Sequence, residues 1–145
     1  MKFRDFHKKH AYLVIIAVVL LLAFLPPVEV HDEQVSIGGG HPVTLTKQAE
    51  THILYGDHRG GGHIHGADQP CKSEFPKDWD AEDVIATVTK QAANDNLRWR
   101  QEDNGYHVSE KMHGNVKVRV VMDDDRSHIV TAYPVNQPRN PCNVK

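Results

Sequence analysis

The chain has 145 residues and a net charge of −2. Residues 1–27 carry four basic residues and one acidic residue. The rest of the chain therefore has 13 basic and 18 acidic residues. The resulting net charge of −5 opposes non-specific binding to nucleic acid, which depends on neutralising phosphates, so any RNA substrate would need a local basic pocket. The two cysteines have neither CxxC nor Cys/His zinc spacing, and the sequence contains no internal repeat.

Residues 1–27 have the pattern of a signal peptide or an N-terminal membrane anchor. Four basic residues lie among the first nine, and an unbroken apolar run over residues 11–25 ends at Pro26 and Pro27. As a helix this run would extend about 22 Å, short of the roughly 30 Å hydrocarbon core of a membrane. No A-x-A site precedes the prolines, so both interpretations stay open. In either case we expect the rest of the chain to be exported. It would then be periplasmic, secreted, or anchored to the inner membrane through residues 11–25.

The two cysteines, Cys71 and Cys142, favour a disulfide, because an even cysteine number in an oxidising compartment is typical of paired thiols. Closing a loop of about 70 residues would stabilise the fold by roughly 4 kcal/mol in the chain-entropy model. Two unpaired thiols are the alternative.

After the apolar segment, the sequence predicts a linker or irregular segment over residues 28–46, with three consecutive glycines in its middle, and a single domain over residues 47–145. A helix is predicted to begin after Asp80, a capping residue with Asp83 three positions on. Its apolar residues recur at helical spacing until the Asn94-Asp95-Asn96 turn.

Four strand-like runs follow the helix, at residues 97–101, 106–112, 116–122 and 128–133. Turn residues separate them, and valines alternate with basic residues in the third run. We therefore predict the α+β class, with a helix packed on an antiparallel sheet.

Histidines are concentrated in residues 51–66, which read THILYGDHRGGGHIHG. Imidazole exchanges protons near neutral pH, and the glycines allow unusual backbone conformations, so this stretch predicts proton-transfer chemistry or a metal site.

Four motifs occur in order over residues 51–134. They are HILYGD, GGGHIHG, KSEFPKDW at the entry to the helix, and TAYP at the end of the last strand. In these four motifs the sequence resembles the bacterial EndoU ribonuclease domain. The resemblance implies an RNA endonuclease similar to pancreatic ribonuclease in chemistry, which leaves 2′,3′-cyclic phosphate ends. Many bacterial members are toxins used between competing cells, and each is countered by an immunity protein. This chain differs from such toxins because an N-terminal apolar segment stands where many carry a large delivery module.

The resemblance assigns catalytic roles to His52, His63 and Lys72. We predict that His63 is the base and His52 the acid, with the reverse order left open, and that Lys72 stabilises the transition state. These three groups supply the chemistry without a cofactor. Cys71 stands where a glycine is expected before the lysine, and the alternative lysines are Lys77 and Lys111.

Substrate-binding roles are predicted for a second group of residues. Thr131 and Tyr133 match the TAYP motif and share one side of a strand, where the tyrosine could stack on a base. The amides of Gly61 and Gly62 could approach a phosphate closely. His65 could belong to the catalytic pair or only line the pocket.

Two other functions stay open at this point. A metal-binding exported protein would use His63 and His65 as ligands, completed by Asp57 or His52. An inert domain would keep the fold without catalysis. Elemental analysis and an RNA cleavage assay would distinguish these alternatives from a nuclease.

Overall fold

The computed structural model describes residues 33–35 and 40–142. Its elements, in chain order, are β1 Glu33–Val35, β2 Val43–Leu45, α1 Lys47–Leu54, α2 Ala81–Ala92, β3 Arg100–Gln101, β4 His107–His113, β5 Val116–Met122 and β6 Ile129–Pro134. The predicted signal peptide or anchor, residues 1–27, lies outside the described residues. Within the described part, neither helix has the length and apolarity needed to cross a membrane.

The strands form two antiparallel sheets. β1 pairs with β2, and the larger sheet has the order β3-β4-β5-β6, in which each strand pairs with its neighbour in the chain. Both helices contact the larger sheet, α1 at β6 and α2 at β5 and β6. The α+β class predicted from the sequence is confirmed.

A single hydrophobic cluster joins the helices to the sheet. Alternate residues of β5, from Val116 to Met122, are fully buried against Val84, Val88 and Ala92 of α2, within the same cluster. This is the alternation that the sequence shows, and burial of each such side chain contributes about 1.5–3 kcal/mol.

The first turn of α2 has the cap that the sequence predicts. The Asp80 carboxylate accepts from the Asp83 amide at 2.9 Å, and the Asp83 carboxylate accepts from the Asp80 amide. This reciprocal pair satisfies two amides that have no partner within the helix.

Residues 43–46, which the sequence places in a linker or irregular segment, are packed into the domain in the structure. Val43 and Leu45 belong to the hydrophobic cluster, and the Thr44 amide donates to the Ser127 carbonyl at 2.8 Å, beside the start of β6. Thr46 caps α1, which the sequence analysis did not predict. These residues are ordered by tertiary contacts that the short sequence Val43-Thr44-Leu45 does not reveal.

The first strand of the larger sheet is also shorter than residues 97–101. The Leu97 amide donates to the Asn94 carbonyl in a turn, and only Arg100 and Gln101 pair with β4.

Candidate active site

The end of α1 is joined to the segment of residues 62–64 by three backbone hydrogen bonds. The amides of Gly62, His63 and Ile64 donate to the carbonyls of residues 52, 53 and 54 at 2.9, 2.8 and 3.0 Å. The last carbonyls of a helix have no partner within it, so this segment satisfies them. The contact brings His52, in the last turn of α1, next to the segment that carries His63.

Both histidines line a cleft of about 280 Å³. The cleft is lined by His52, Arg59, Gly61, His63, Cys71, Lys72, Ser73, Thr131, Tyr133 and Arg139. It therefore brings together the three predicted catalytic residues, the predicted pair on β6 and Gly61. Sequence reasoning did not identify Arg59, Ser73 or Arg139 as parts of the site.

Gly61 lies against α1 so closely that a side chain would not fit. Its φ is +77°, and a Cβ atom built there would stand 2.0 Å from the His52 carbonyl oxygen. A glycine is therefore required where the loop passes the helix.

The His63 ring is buried, with 5% of the residue exposed, and its Nδ1 atom lies 2.7 Å from the Ser73 carbonyl oxygen. A carbonyl only accepts hydrogen bonds, so Nδ1 carries the proton and Nε2 holds a lone pair in the neutral ring. Burial lowers the pKa of His63, and the nearby Lys72 and His52 lower it further against the opposing effect of the Ser73 carbonyl. Near neutral pH the ring is therefore neutral and can accept a proton.

His52 is held by a carboxylate instead. Its Nδ1 atom lies 3.1 Å from Asp57 Oδ1, and Asp57 also accepts hydrogen bonds from the Arg59 backbone and guanidinium. These bonds from Arg59 hold the pKa of the Asp57 carboxyl far below its ordinary value. The carboxylate thus accepts a hydrogen bond from the Nδ1–H of His52 and leaves Nε2 as the reactive nitrogen.

Thr131 and Tyr133 of β6 also line the cleft. The Tyr133 ring stacks on His63 with ring centres 5.4 Å apart and 27° between the planes. The Arg119 guanidinium lies 5.9 Å from the centre of the Tyr133 ring and 3.4 Å from its hydroxyl. Tyr133 therefore contacts both His63 and Arg119.

Three cations line the cleft, Arg59, Lys72 and Arg139, and no carboxylate is among the lining residues. This is the local basic pocket that an RNA substrate needs in a domain with a net negative charge. The alternative lysines, Lys77 and Lys111, are not among the lining residues.

The predicted disulfide is present in the structure and joins Cys71 to Cys142. It lies beside Lys72, at the edge of the cleft.

Two residues assigned to substrate binding from the sequence are not part of the cleft lining. His65 lies in an exposed turn with its Nδ1 atom 3.6 Å from Glu74, because the chain turns after Ile64 rather than continuing as a strand. Gly62 is buried, and its amide is already used by the His52 carbonyl. That amide cannot donate to a phosphate.

The metal-site alternative finds no support in this geometry. His63 lines the cleft and His65 does not, so the two do not converge on one point. In the part of the chain that the structure describes, the side chains spaced to share a metal ion are Asp123, Asp125 and His128, between β5 and β6.

Comparison with models of protein families gives a match over residues 64–136 to the model described as bacterial EndoU nuclease. The matched residues include Lys72, Thr131 and Tyr133 and begin directly after His63. No curated protein and no solved structure matches the chain.

Proposed function

The chain belongs to the bacterial EndoU nuclease family, and from that membership we propose that it is an endoribonuclease that cuts single-stranded RNA or tRNA to 2′,3′-cyclic phosphate ends. The observation that carries the proposal is the cleft itself, in which two differently held histidines lie among three cations.

The reaction begins with the 2′-hydroxyl of the RNA. His63 is the base, because its ring is neutral near neutral pH and its Nδ1 proton is fixed by Ser73. The Nε2 lone pair takes the 2′-hydroxyl proton while the 2′-oxygen attacks the phosphorus.

His52 is then the acid that protonates the departing 5′-oxygen. Asp57 accepts a hydrogen bond from Nδ1–H whether or not Nε2 is protonated, so the ring keeps its orientation while Nε2 gives up its proton. The products are a cyclic phosphate on one fragment and a 5′-hydroxyl on the other.

Negative charge on the phosphorane is stabilised by cations already in place. Lys72 is the one we assign to this role, since it lines the cleft and acts electrostatically on His63. A cation placed beside the phosphorane acts strongly on its developing charge. These side chains supply acid, base and cation, so the proposed reaction needs no metal ion.

Substrate recognition is assigned to β6. Tyr133 offers an aromatic face and Thr131 a hydroxyl at the same wall of the cleft. Stacking combined with hydrogen bonding to an unpaired base is the usual mode of single-stranded RNA recognition.

We further propose that the enzyme is exported and acts as a toxin against competing cells, countered by an immunity protein. The basic and apolar pattern of residues 1–27 and the disulfide support export. The family supports the toxin role. If this is correct, the product of a neighbouring gene should abolish cleavage when added in equimolar amount.

The central test is cleavage of a single-stranded RNA by the purified full-length protein in the presence of EDTA. We expect cleavage to persist and its products to carry cyclic phosphate ends, detected by mass spectrometry. Complete loss of cleavage on chelation, restored by a single metal ion, would replace this proposal with a metal-dependent one.

Substitution of the histidines tests the assignments. His52→Ala and His63→Ala should each lower kcat by at least roughly a hundredfold, the usual scale for loss of a catalytic acid or base. His58→Ala, in an exposed loop, is the control and should retain activity. If His65→Ala abolishes cleavage and His63→Ala does not, the catalytic histidine has been misassigned.

A further inference from the structure

The end of the described chain, residues 139–142, lies against the loop that carries Lys72, and we call these four residues the C-terminal arm. The Asn140 amide donates to the Lys72 carbonyl at 2.8 Å, and the Asn140 side chain donates to the Gln69 carbonyl and to Glu74. Arg139 pairs with Ser73 as an isolated antiparallel bridge. The disulfide attaches the end of the arm to Cys71.

This arrangement brings the Arg139 side chain to the cleft, on the same lining as Lys72. Arg59 is neutralised there by Asp57. In the described part of the chain, neither Arg139 nor Lys72 has a carboxylate within ion-pair distance. Two uncompensated cations on one cleft repel each other, and an anion between them removes that repulsion.

We propose that Arg139 binds a phosphate of the RNA substrate and that the Cys71–Cys142 disulfide holds the C-terminal arm in the position that allows it. The proposal rests on the proposed ribonuclease function and adds a substrate-binding residue to it. Arg139 lies beyond the residues that match the family model, so the family match does not account for it.

Arginine suits this role because its planar guanidinium donates two parallel hydrogen bonds to phosphate oxygens. A chain end without tertiary attachment frays and could not hold such a group in place. The arm is attached at Arg139 by the bridge to Ser73, at Asn140 by hydrogen bonds, and at Cys142 by the disulfide. Arg139 should therefore act on substrate binding rather than on the chemical step.

The test measures binding of a fluorescein-labelled 2′-O-methyl oligouridylate to the full-length protein, because this probe lacks the 2′-hydroxyl and stays intact. Arg139→Gln should weaken binding about tenfold, the scale of one charge-assisted hydrogen bond. It should also reduce the slope of log affinity against log salt concentration by about one, as expected for the loss of one phosphate contact. With a cleavable RNA, KM should rise and kcat should change much less.

Arg98→Gln is the matched control, because Arg98 is exposed, has no ion pair in the described part of the chain and lies outside the cleft. It should bind the probe as the unmodified protein does. If Arg139→Gln binds the probe as well as Arg98→Gln does, the phosphate-binding role is wrong.

The tether is tested by Cys142→Ser, with folding at the assay temperature checked by thermal unfolding. This variant should weaken binding by a similar factor, and Arg139→Gln added to it should have little further effect. A full additional loss in the double variant would show that Arg139 binds without the tether.

The two proposals fail separately. If the protein does not cleave RNA and Arg139→Gln still weakens probe binding, the ribonuclease function is wrong and the phosphate site stands. If the protein cleaves RNA and Arg139→Gln binds normally, only the role of Arg139 is wrong.

Discussion

At the scale of the residue, the two histidines of the cleft differ in the partner of their Nδ1 atoms. His63 donates to the uncharged Ser73 carbonyl inside the fold, and His52 lies against the ionised Asp57. The two rings have similar chemistry in isolation, so their different roles in the proposed mechanism follow from these surroundings.

The pH dependence of the reaction should show this difference. As the pH falls through the pKa of His63, the ring becomes protonated and the base is lost, so kcat/KM falls. Because burial lowers that pKa, the fall should have its midpoint below the ordinary histidine value of about 6.5. A pH–rate profile on a single-stranded RNA measures it. An acid-side midpoint above that value would contradict the assignment of His63 as the base.

Asp57→Asn tests the positioning of His52. The amide keeps an oxygen near Nδ1 but loses the charge that pairs with Arg59, so the ring and its tautomer are less firmly held. We expect kcat to fall about tenfold or more, a scale consistent with impaired proton transfer, with a smaller change in KM. Asp78→Asn, on an exposed loop, serves as the control. An unchanged kcat in Asp57→Asn would show that Asp57 does not position His52 for the reaction.

The site residues that the sequence missed are those without a local signal. His52, His63 and Tyr133 lie in motifs, and their assignment required only the order of those motifs. Arg59 and Arg139 reach the cleft through the Asp57 contact and through pairing with Ser73. Nothing in the residues around either arginine predicts those contacts.

At the scale of the element, the contact between α1 and residues 62–64 sets the geometry of the site. Gly61→Ala should disturb it, because the added Cβ atom overlaps the His52 carbonyl. The matched control is Gly66→Ala, whose φ is also positive but whose added Cβ atom meets nothing within 4 Å.

We expect Gly66→Ala to lower the free energy of unfolding by about 1 kcal/mol, from backbone strain alone. Gly61→Ala should lower it by about 1–3 kcal/mol more, the usual range for overpacking, and should also reduce kcat. Denaturant unfolding and cleavage assays measure both effects. If the two variants lose the same free energy of unfolding and the same kcat, the loop can move away from the helix without affecting stability or activity.

The elements that the sequence predicted well are those with a repeated pattern. α2 has a cap and four apolar residues at helical spacing, and β5 alternates from Val116 to Val120. The strand β2 and the eight-residue helix α1 are too short to show such a period. Their positions depend on β6 and the hydrophobic cluster, which local sequence does not specify.

At the scale of the whole molecule, the disulfide closes most of the domain into one loop, since its cysteines are 71 residues apart. Reduction should therefore lower the melting temperature by roughly 15–20 °C, from a loss of roughly 4 kcal/mol. It should also slow cleavage, because the bond lies beside Lys72. Differential scanning calorimetry with and without reductant measures the shift.

The control is the double variant Cys71→Ser/Cys142→Ser, which reductant should not affect further. Counting thiols on the unreduced, denatured protein provides an independent check. Two reactive thiols per chain would show that the bond is absent and that the stability has another source.

The three hydrogen bonds between residues 62–64 and the end of α1 also affect how local unfolding disrupts the site. Each bond joins the segment that carries one histidine of the cleft to the segment that carries the other, so local opening of either segment releases both. The pair therefore behaves as one cooperative unit, present or absent as a whole. On partial denaturation, the remaining activity should therefore be proportional to the fraction of molecules in which the site is intact, and each intact molecule should cleave at the full rate.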